Sequence, residues 1–161
     1  MDITVEPLSN YPGAIPLVAE WHFTEWGHTD PGGSLDSWTS GMARQAGAES
    51  IPGTLIAVAD GTPLGVVCLT AQDMPGYQPA ASLTPWLKGL YVAPAARRQG
   101  IGTALIRRCE AWAASLGYPT LYLYTERDSP AESLYRDLNW QPVQAARYNG
   151  ISVTVMQTTL T

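Results

Sequence analysis

The run Tyr91-Val92-Ala93-Pro94-Ala95-Ala96-Arg97-Arg98-Gln99-Gly100-Ile101-Gly102-Thr103 contains the residue types that hold an anion. A strand-like segment enters a short Pro-Ala loop, and two glycines open the apolar periodicity of a helix. The first turn of a helix leaves its N–H groups unpaired and carries a partial positive charge. Glycine lets a phosphate approach that backbone closely, so the pattern predicts an anion cradle built from main chain. Arg97 and Arg98 add charge beside it, and no acid stands between Asp73 and Glu110 to compete. Two glycines alone would favour a turn needed only for packing. A dinucleotide loop needs Gly-x-Gly-x-x-Gly, but Leu105 occupies the third position. A P-loop needs Gly-Lys-Ser/Thr, and the single lysine, Lys88, lies upstream.

The elements that must position this run follow from periodicity. Ile3 to Val5 reads as a first strand. A helix follows from about Gly13, with Ile15, Val18, Trp21, His22 and Glu25-Trp26 at helical spacing and Gly27 as its stop. Residues 27–33 read as a loop. A second helix spans Leu35 to about Ala46, with Ser34 as N-cap, Leu35, Trp38, Met42 and Ala46 as its stripe and Gly47 as its stop. Thr54 to Ala59 and Leu64 to Thr70 read as a hairpin about Asp60-Gly61. After a Pro-rich loop, Asp73 to Pro85, comes a strand over Trp86 to Val92.

The third helix presents Ile101, Leu105, Cys109, Trp112 and Leu116 on one face and ends at Gly117 and Pro119. Leu121 to Tyr124 reads as a central strand. The fourth helix has Ser129 as N-cap, Pro130 at its first position and Glu132 closing a capping box. Ala131, Leu134, Tyr135 and Leu138 form its inward face, and Asn139 suits a left-handed C-terminal position. A last hairpin turns at Asn149-Gly150, with Ile151, Val153 and Val155 alternating with Ser152 and Thr154. The expected order is β-α-α-β-β-β-α-β-α-β-β, an α/β fold with a mixed sheet.

The chain has 161 residues, 45% hydrophobic and 14% charged, which suits one domain over residues 1–161 with a core of its own. No apolar run is long enough to span a bilayer, and the N-terminus from Met1 to Glu6 has no signal-peptide pattern, so no membrane association and a cytoplasmic location are expected. Cys68 and Cys109 read as reduced core thiols. No metal is expected, because His22 and His28 lie far from both cysteines in sequence. A net charge of −5 argues against nucleic acid as a partner. Residues 1–85 carry nine acids and one base, whereas residues 86–161 carry five acids and eight bases. The basic half suits an anionic ligand and the acidic half a cationic one.

The run Arg97-x-x-Gly100-x-Gly102 after Val92-x-Pro94 resembles the acetyl-CoA signature of the GCN5-related N-acetyltransferase (GNAT) family. A second block agrees: Asp128 to Trp140, with Leu134-Tyr135 and Asn139-Trp140, resembles the family's Asn-x-x-Ala-x-x-Leu-Tyr-x-x-x-Gly-Phe. The element order matches too, so the resemblance covers nearly the whole chain.

It implies a GNAT-like, mostly antiparallel sheet flanked by helices, with acetyl-CoA as co-substrate and no metal. The activity implied is acetyl transfer to a primary amine by direct attack in a ternary complex. The amides of Arg98, Gln99, Gly100, Ile101, Gly102 and Thr103 would hold the pyrophosphate, with Arg97 beside them. Leu90, Tyr91 and Val92 would pair with the pantetheine arm, one amide polarising the thioester carbonyl. Asp128 and Ala131 fall at the second motif's cofactor positions, Asp128 replacing the usual Asn. Tyr135 corresponds to the acid that protonates the departing thiolate. Lys88 stands where many relatives carry an acid serving as base. Glu20, Glu25, Asp73, Glu126 and His22 are the alternatives for that role. By analogy, Glu25, Trp26, Asp30 and Trp86 would line the acceptor site, and a cationic amine is the expected acceptor. The resemblance is also compatible with a homodimer. Two other readings stay open at this level: a non-catalytic acetyl-CoA-binding module, and a nucleotide-dependent oxidoreductase weakened by Leu105.

Overall fold

Two Asx-Gly pairs fold the chain back on itself. Asp60 and Gly61 have φ of 50° and 76°, and Asn149 and Gly150 have 51° and 77°. Left-handed values at both central residues make the tight turns whose twist matches antiparallel strands. The first closes β2 (Gly53–Ala59) against β3 (Thr62–Thr70), and the second closes β6 (Gln141–Tyr148) against β7 (Ile151–Thr159). The computed structural model describes residues 2–161; Met1, where the N-terminal reading begins, lies outside the described residues.

The remaining strands are β1 (Thr4–Pro7), β4 (Trp86–Val92) and β5 (Thr120–Glu126), and the helices are α1 (Ile15–Trp26), α2 (Leu35–Arg44), α3 (Ile101–Ser115) and α4 (Pro130–Asp137). The expected element order holds. The sheet order is β1-β2-β3-β4-β5-β7-β6. β4 and β5 are parallel, whereas β1–β2, β2–β3, β5–β7 and β6–β7 are antiparallel. No helix among the described residues is long and apolar enough to cross a membrane.

The chain forms two compact units. The first comprises residues up to Leu69 together with Gly89–Cys109. Leu8, Val18, Ala19, Met42, Ala46, Ile56, Val58, Val66 and Cys68 form a core cluster there. Burying each large aliphatic side chain contributes about 1.5–3 kcal/mol. Gly65 matters within this unit, because a Cβ there would lie 2.8 Å from the Tyr91 carbonyl oxygen and 3.0 Å from Leu105. The bare backbone lets β3 sit close to β4 and α3. Cys68 and Cys109 are buried and unbridged.

The second unit comprises Thr70–Lys88 and Glu110–Thr161. Met74, Ala80, Trp86, Val153 and Val155 are a core cluster of this unit, with Tyr77, Tyr122, Tyr124 and Tyr148 packed on it. Within it the β4–β5 register runs through Trp86 and Tyr122.

α1 ends at Trp26 with Gly27 as its C-cap, as expected; the φ of Gly27 is −59°, and the chain continues into a 3-10 turn, Gly27–Thr29. Glycine is needed there because a Cβ would meet the Phe23 ring at 2.9 Å. α2 starts as expected on Ser34, in a reciprocal box with Ser37, but ends at Arg44, before Ala46 and Gly47. Leu35, Leu116 and Ile151, assigned to apolar faces, are exposed, because each stands at an element's end beyond its packed stretch. Ser129 caps α4 by accepting the Glu132 N–H at 3.2 Å. The Glu132 carboxylate does not return to the Ser129 N–H, which donates to the Glu126 carbonyl at 3.4 Å, and it pairs with Arg136 at 3.3 Å. Glu132 is thereby buried on the packed face of α4, and Ala131 is exposed. Thr154 is likewise buried rather than outward.

Candidate functional site

The glycine-bearing run stands where β4 gives way to α3. The Ala93 N–H donates to the Leu64 carbonyl at 2.8 Å, and Pro94–Ala96 form one 3-10 turn. Arg98 and Gly100 are both left-handed, with φ of 62° and 80°. Left-handed residues ahead of a helix turn successive N–H groups toward one side, the geometry of an anion nest. Arg97 to Gly100 are exposed, and a Cβ at Gly100 would meet nothing within 4 Å. Arg97 has a different task from the one its charge suggests. Its Nε donates to the Val92 carbonyl at 2.9 Å and its guanidinium covers the Tyr91 ring at 5.5 Å. It clamps the loop onto the end of β4, leaving Arg98 as the outward charge. Leu90, Tyr91 and Val92 are half-buried, and the Tyr91 ring stacks on Trp21 at 5.4 Å.

Gly89, absent from the residues expected to matter, is left-handed inside β4, with φ of 65°. Its carbonyl accepts a hydrogen bond from His22 Nε2 at 2.8 Å. A carbonyl only accepts, so Nε2 carries the proton. His22 is buried, and Trp26 meets its ring edge-on at 5.2 Å. A left-handed residue in mid-strand bends the strand and re-aims its backbone groups. The sequence signal was available: a glycine within Trp86–Val92 weakens a strand unless it serves a bulge or a close approach.

The other candidates are spread over both units. Asp128 is left-handed, with φ of 60°, a conformation that Asp and Asn tolerate better than most residues. Asp128 and Ala131 are exposed at the start of α4. Tyr135 is 5% exposed, its ring tilted against Trp140 at 5.7 Å. The N–H of Trp140 donates to the Tyr135 carbonyl at 3.0 Å, beyond the left-handed Asn139. Asp30 accepts from Trp38 Nε1 at 3.0 Å and so ties the loop after α1 to α2. Glu25 is exposed, and Trp26 is half-buried against His22. Trp86 is a correction: it is fully buried, with its Nε1 donating to the Leu83 carbonyl at 2.7 Å, and leaves no face for a ligand.

Among the base candidates, Glu20, Glu25 and Glu126 are exposed. Asp73 differs. Its side chain is 14% exposed and lies 3.8 Å from Lys88 Nζ. Burial pushes its carboxyl up to about 6, against the opposing pull of Lys88. The lysine that replaces an acid on β4 thus faces an acid from the preceding loop.

Comparisons with known proteins agree with this geometry. An aminoglycoside N(6')-acetyltransferase type 1 from Klebsiella aerogenes is 42% identical over 64 residues, 39% of this chain and 41% of that protein. The match therefore spans about two fifths of that relative's length. An aminoglycoside 6'-N-acetyltransferase crystallised with coenzyme A superposes with a TM-score of 0.74 at 20% identity, covering 99% of this chain and 97% of that one. A spermidine/spermine N-acetyltransferase from Vibrio cholerae superposes with a TM-score of 0.72 at 16% identity, covering 98% and 95%. These structures share the fold. The sequence model of the acetyltransferase (GNAT) family matches residues 15–140, most of the chain, and the chain belongs to that family.

Proposed function

We propose that this chain is an acetyl-CoA-dependent N-acetyltransferase that acylates a primary amine on a cationic acceptor, working as one catalytic domain over residues 1–161. The observation that carries the reading is the left-handed pair Arg98 and Gly100 at the head of the 15-residue helix α3. That nest is open to solvent, has an arginine beside it and has no carboxylate within the segment, all of which fit a pyrophosphate. Acetyl-CoA supplies the acetyl group, activated as a thioester.

The chain's own groups do the rest. Amides of Arg98 to Thr103 hold the phosphates. The backbone of Leu90 to Val92, which follows the left-handed Gly89, holds the pantetheine arm and donates one N–H toward the acyl oxygen. The amine's lone pair forms the C–N bond as the C–S bond breaks, Tyr135 gives its hydroxyl proton to the sulfur, and the nitrogen sheds its extra proton to solvent, from which the tyrosinate regains one. Phenols as a class are protonated at neutral pH and can donate a proton to a departing thiolate.

Charge supports a cationic acceptor. Residues 1–85 hold nine acids against Arg44 alone. The relatives named above are acetyltransferases of aminoglycosides and of spermidine/spermine, which are amines. The test is thiol release from acetyl-CoA across a library of amines at rising salt. Turnover should be confined to amines, and kcat/KM for the best one should fall as salt screens steering over a Debye length of about 10 Å at 0.1 M. An anionic best substrate, or one indifferent to salt, contradicts the reading.

A further inference from the structure

The second unit holds a carboxylate whose surroundings do not satisfy it. Asp73 lies in the loop between β3 and β4, and Gln72 fixes its backbone: the Gln72 side-chain oxygen accepts the N–H groups of Asp73 and Met74, both at 2.8 Å. Its one ion-pair partner among the described residues is Lys88, at 3.8 Å, and that side chain is 40% exposed. Tyr77, Tyr124 and Tyr148 of the same unit pack on the core cluster that includes Met74, the neighbour of Asp73. Tyr124 of β5 meets Tyr148 of β6 edge-to-face at 5.5 Å, and Tyr148 meets Tyr77 at 6.3 Å. These rings are pinned, since the Tyr148 hydroxyl donates to the Pro75 carbonyl at 2.9 Å and Gln144 Nε2 donates to the Tyr77 hydroxyl at 2.6 Å.

Tyr124 and Tyr148 lie close enough to Asp73 for its charge to raise both hydroxyls, with burial the larger cause in each. Lys88 of β4 is the charged group that acts on Asp73. A buried, half-paired carboxylate beside fixed aromatic rings suits a small organic cation, because the carboxylate supplies charge and ring faces attract ammonium groups.

We propose that Asp73, with the rings of Tyr124 and Tyr148, receives the primary ammonium of the acceptor, and that the Asp73 carboxylate takes its proton. This rests on the N-acetyltransferase reading. In the step an N–H bond of the ammonium breaks, the pair stays on nitrogen, and an O–H bond forms on Asp73, leaving a neutral amine and a neutral acid. Lys88 assists, because a cation beside a bound ammonium disfavours its charged form. A carboxylate lifted to about 6 is also a stronger base than an ordinary one near 3.8.

The experiment is kcat/KM against pH, at saturating acetyl-CoA, with spermidine and the aminoglycoside kanamycin as acceptors. The wild type should gain activity as pH rises through about 6, where Asp73 loses its proton. Asp73→Asn should bind CoA normally by calorimetry, lose that limb and lose about 10²–10⁴-fold in kcat/KM. Asp73→Glu should regain part of the rate and keep a limb. Asp73→Asn with intact CoA affinity, wild-type kcat/KM and the same limb overturns the proposal. So does a wild-type profile that is flat between pH 5 and 7, which needs no variant to fold. Binding of CoA without acetylation of either amine instead overturns the acetyl-transfer reading, and this proposal with it.

Discussion

His22 Nε2 stands 2.8 Å from the carbonyl oxygen of Gly89, the left-handed residue of β4. One buried imidazole therefore holds the bend of the strand proposed to carry the pantetheine arm. A Cβ on Gly89 would lie 2.8 Å from His22 Cε1, so this position is closed both by φ and by the ring. Gly76 has a similar φ of 84°, but a Cβ there would meet nothing within 4 Å.

The pair Gly89→Ala and Gly76→Ala separates these causes. Strained φ alone costs about 1–3 kcal/mol. Urea unfolding should show Gly89→Ala more destabilised than Gly76→Ala, with His22→Ala in the same chain recovering part of the difference. Equal losses at the two glycines would mean that His22 does not brace the bend.

Asp73 makes stability depend on pH in a direction unusual for a carboxylate. Burial raises its pKa from 3.8 to about 6, so the folded protein resists its ionisation. Its contribution is fully present below about pH 3.8 and is lost as pH rises through about 6. A gap of that size is worth about 3 kcal/mol. Asp73→Asn cannot ionise, so its stability relative to wild type should improve by up to about 3 kcal/mol between pH 4 and pH 8. Chemical denaturation at both pH values measures this; a constant difference contradicts a buried, strained charge.

Much of this arrangement could be read before the structure was known, and the exceptions have physical causes. Ser34, Ser129, Asn139 and the turns at Asp60-Gly61 and Asn149-Gly150 act locally, through caps and left-handed backbone, so their spacing is enough to reveal them. The run from Arg97 to Gly102 is legible for the same reason. Gly89 was missed because its neighbours are good strand formers and its partner, His22, is 67 residues away. Asp73 was one acid among several until the fold largely buried it and brought Lys88 beside it. Trp86 illustrates the converse: a tryptophan next to proposed site residues reads as a ligand wall, and the fold buries it completely.

Tyr135 is proposed as the acid for the departing thiolate. Tyr135→Phe removes only the hydroxyl and leaves the ring against Trp140. General acid catalysis contributes about 10²–10⁴-fold, so single-turnover acetyl transfer should slow by about that factor while CoA affinity stays the same. A wild-type single-turnover rate would return Tyr135 to a packing role.

Anion binding at the head of α3 is the central claim, and Gly102→Asp tests it most directly. Gly102 lies in the first turn of α3, where an added carboxylate favours the helix by interacting with its positive end. The fold should therefore survive, with melting temperature unchanged or slightly raised. The same carboxylate would occupy and repel the phosphate position. Titration calorimetry with CoA should show binding to wild type and a loss of at least about 100-fold in Gly102→Asp, about 2.7 kcal/mol. A folded Gly102→Asp that binds CoA as wild type does would contradict the account.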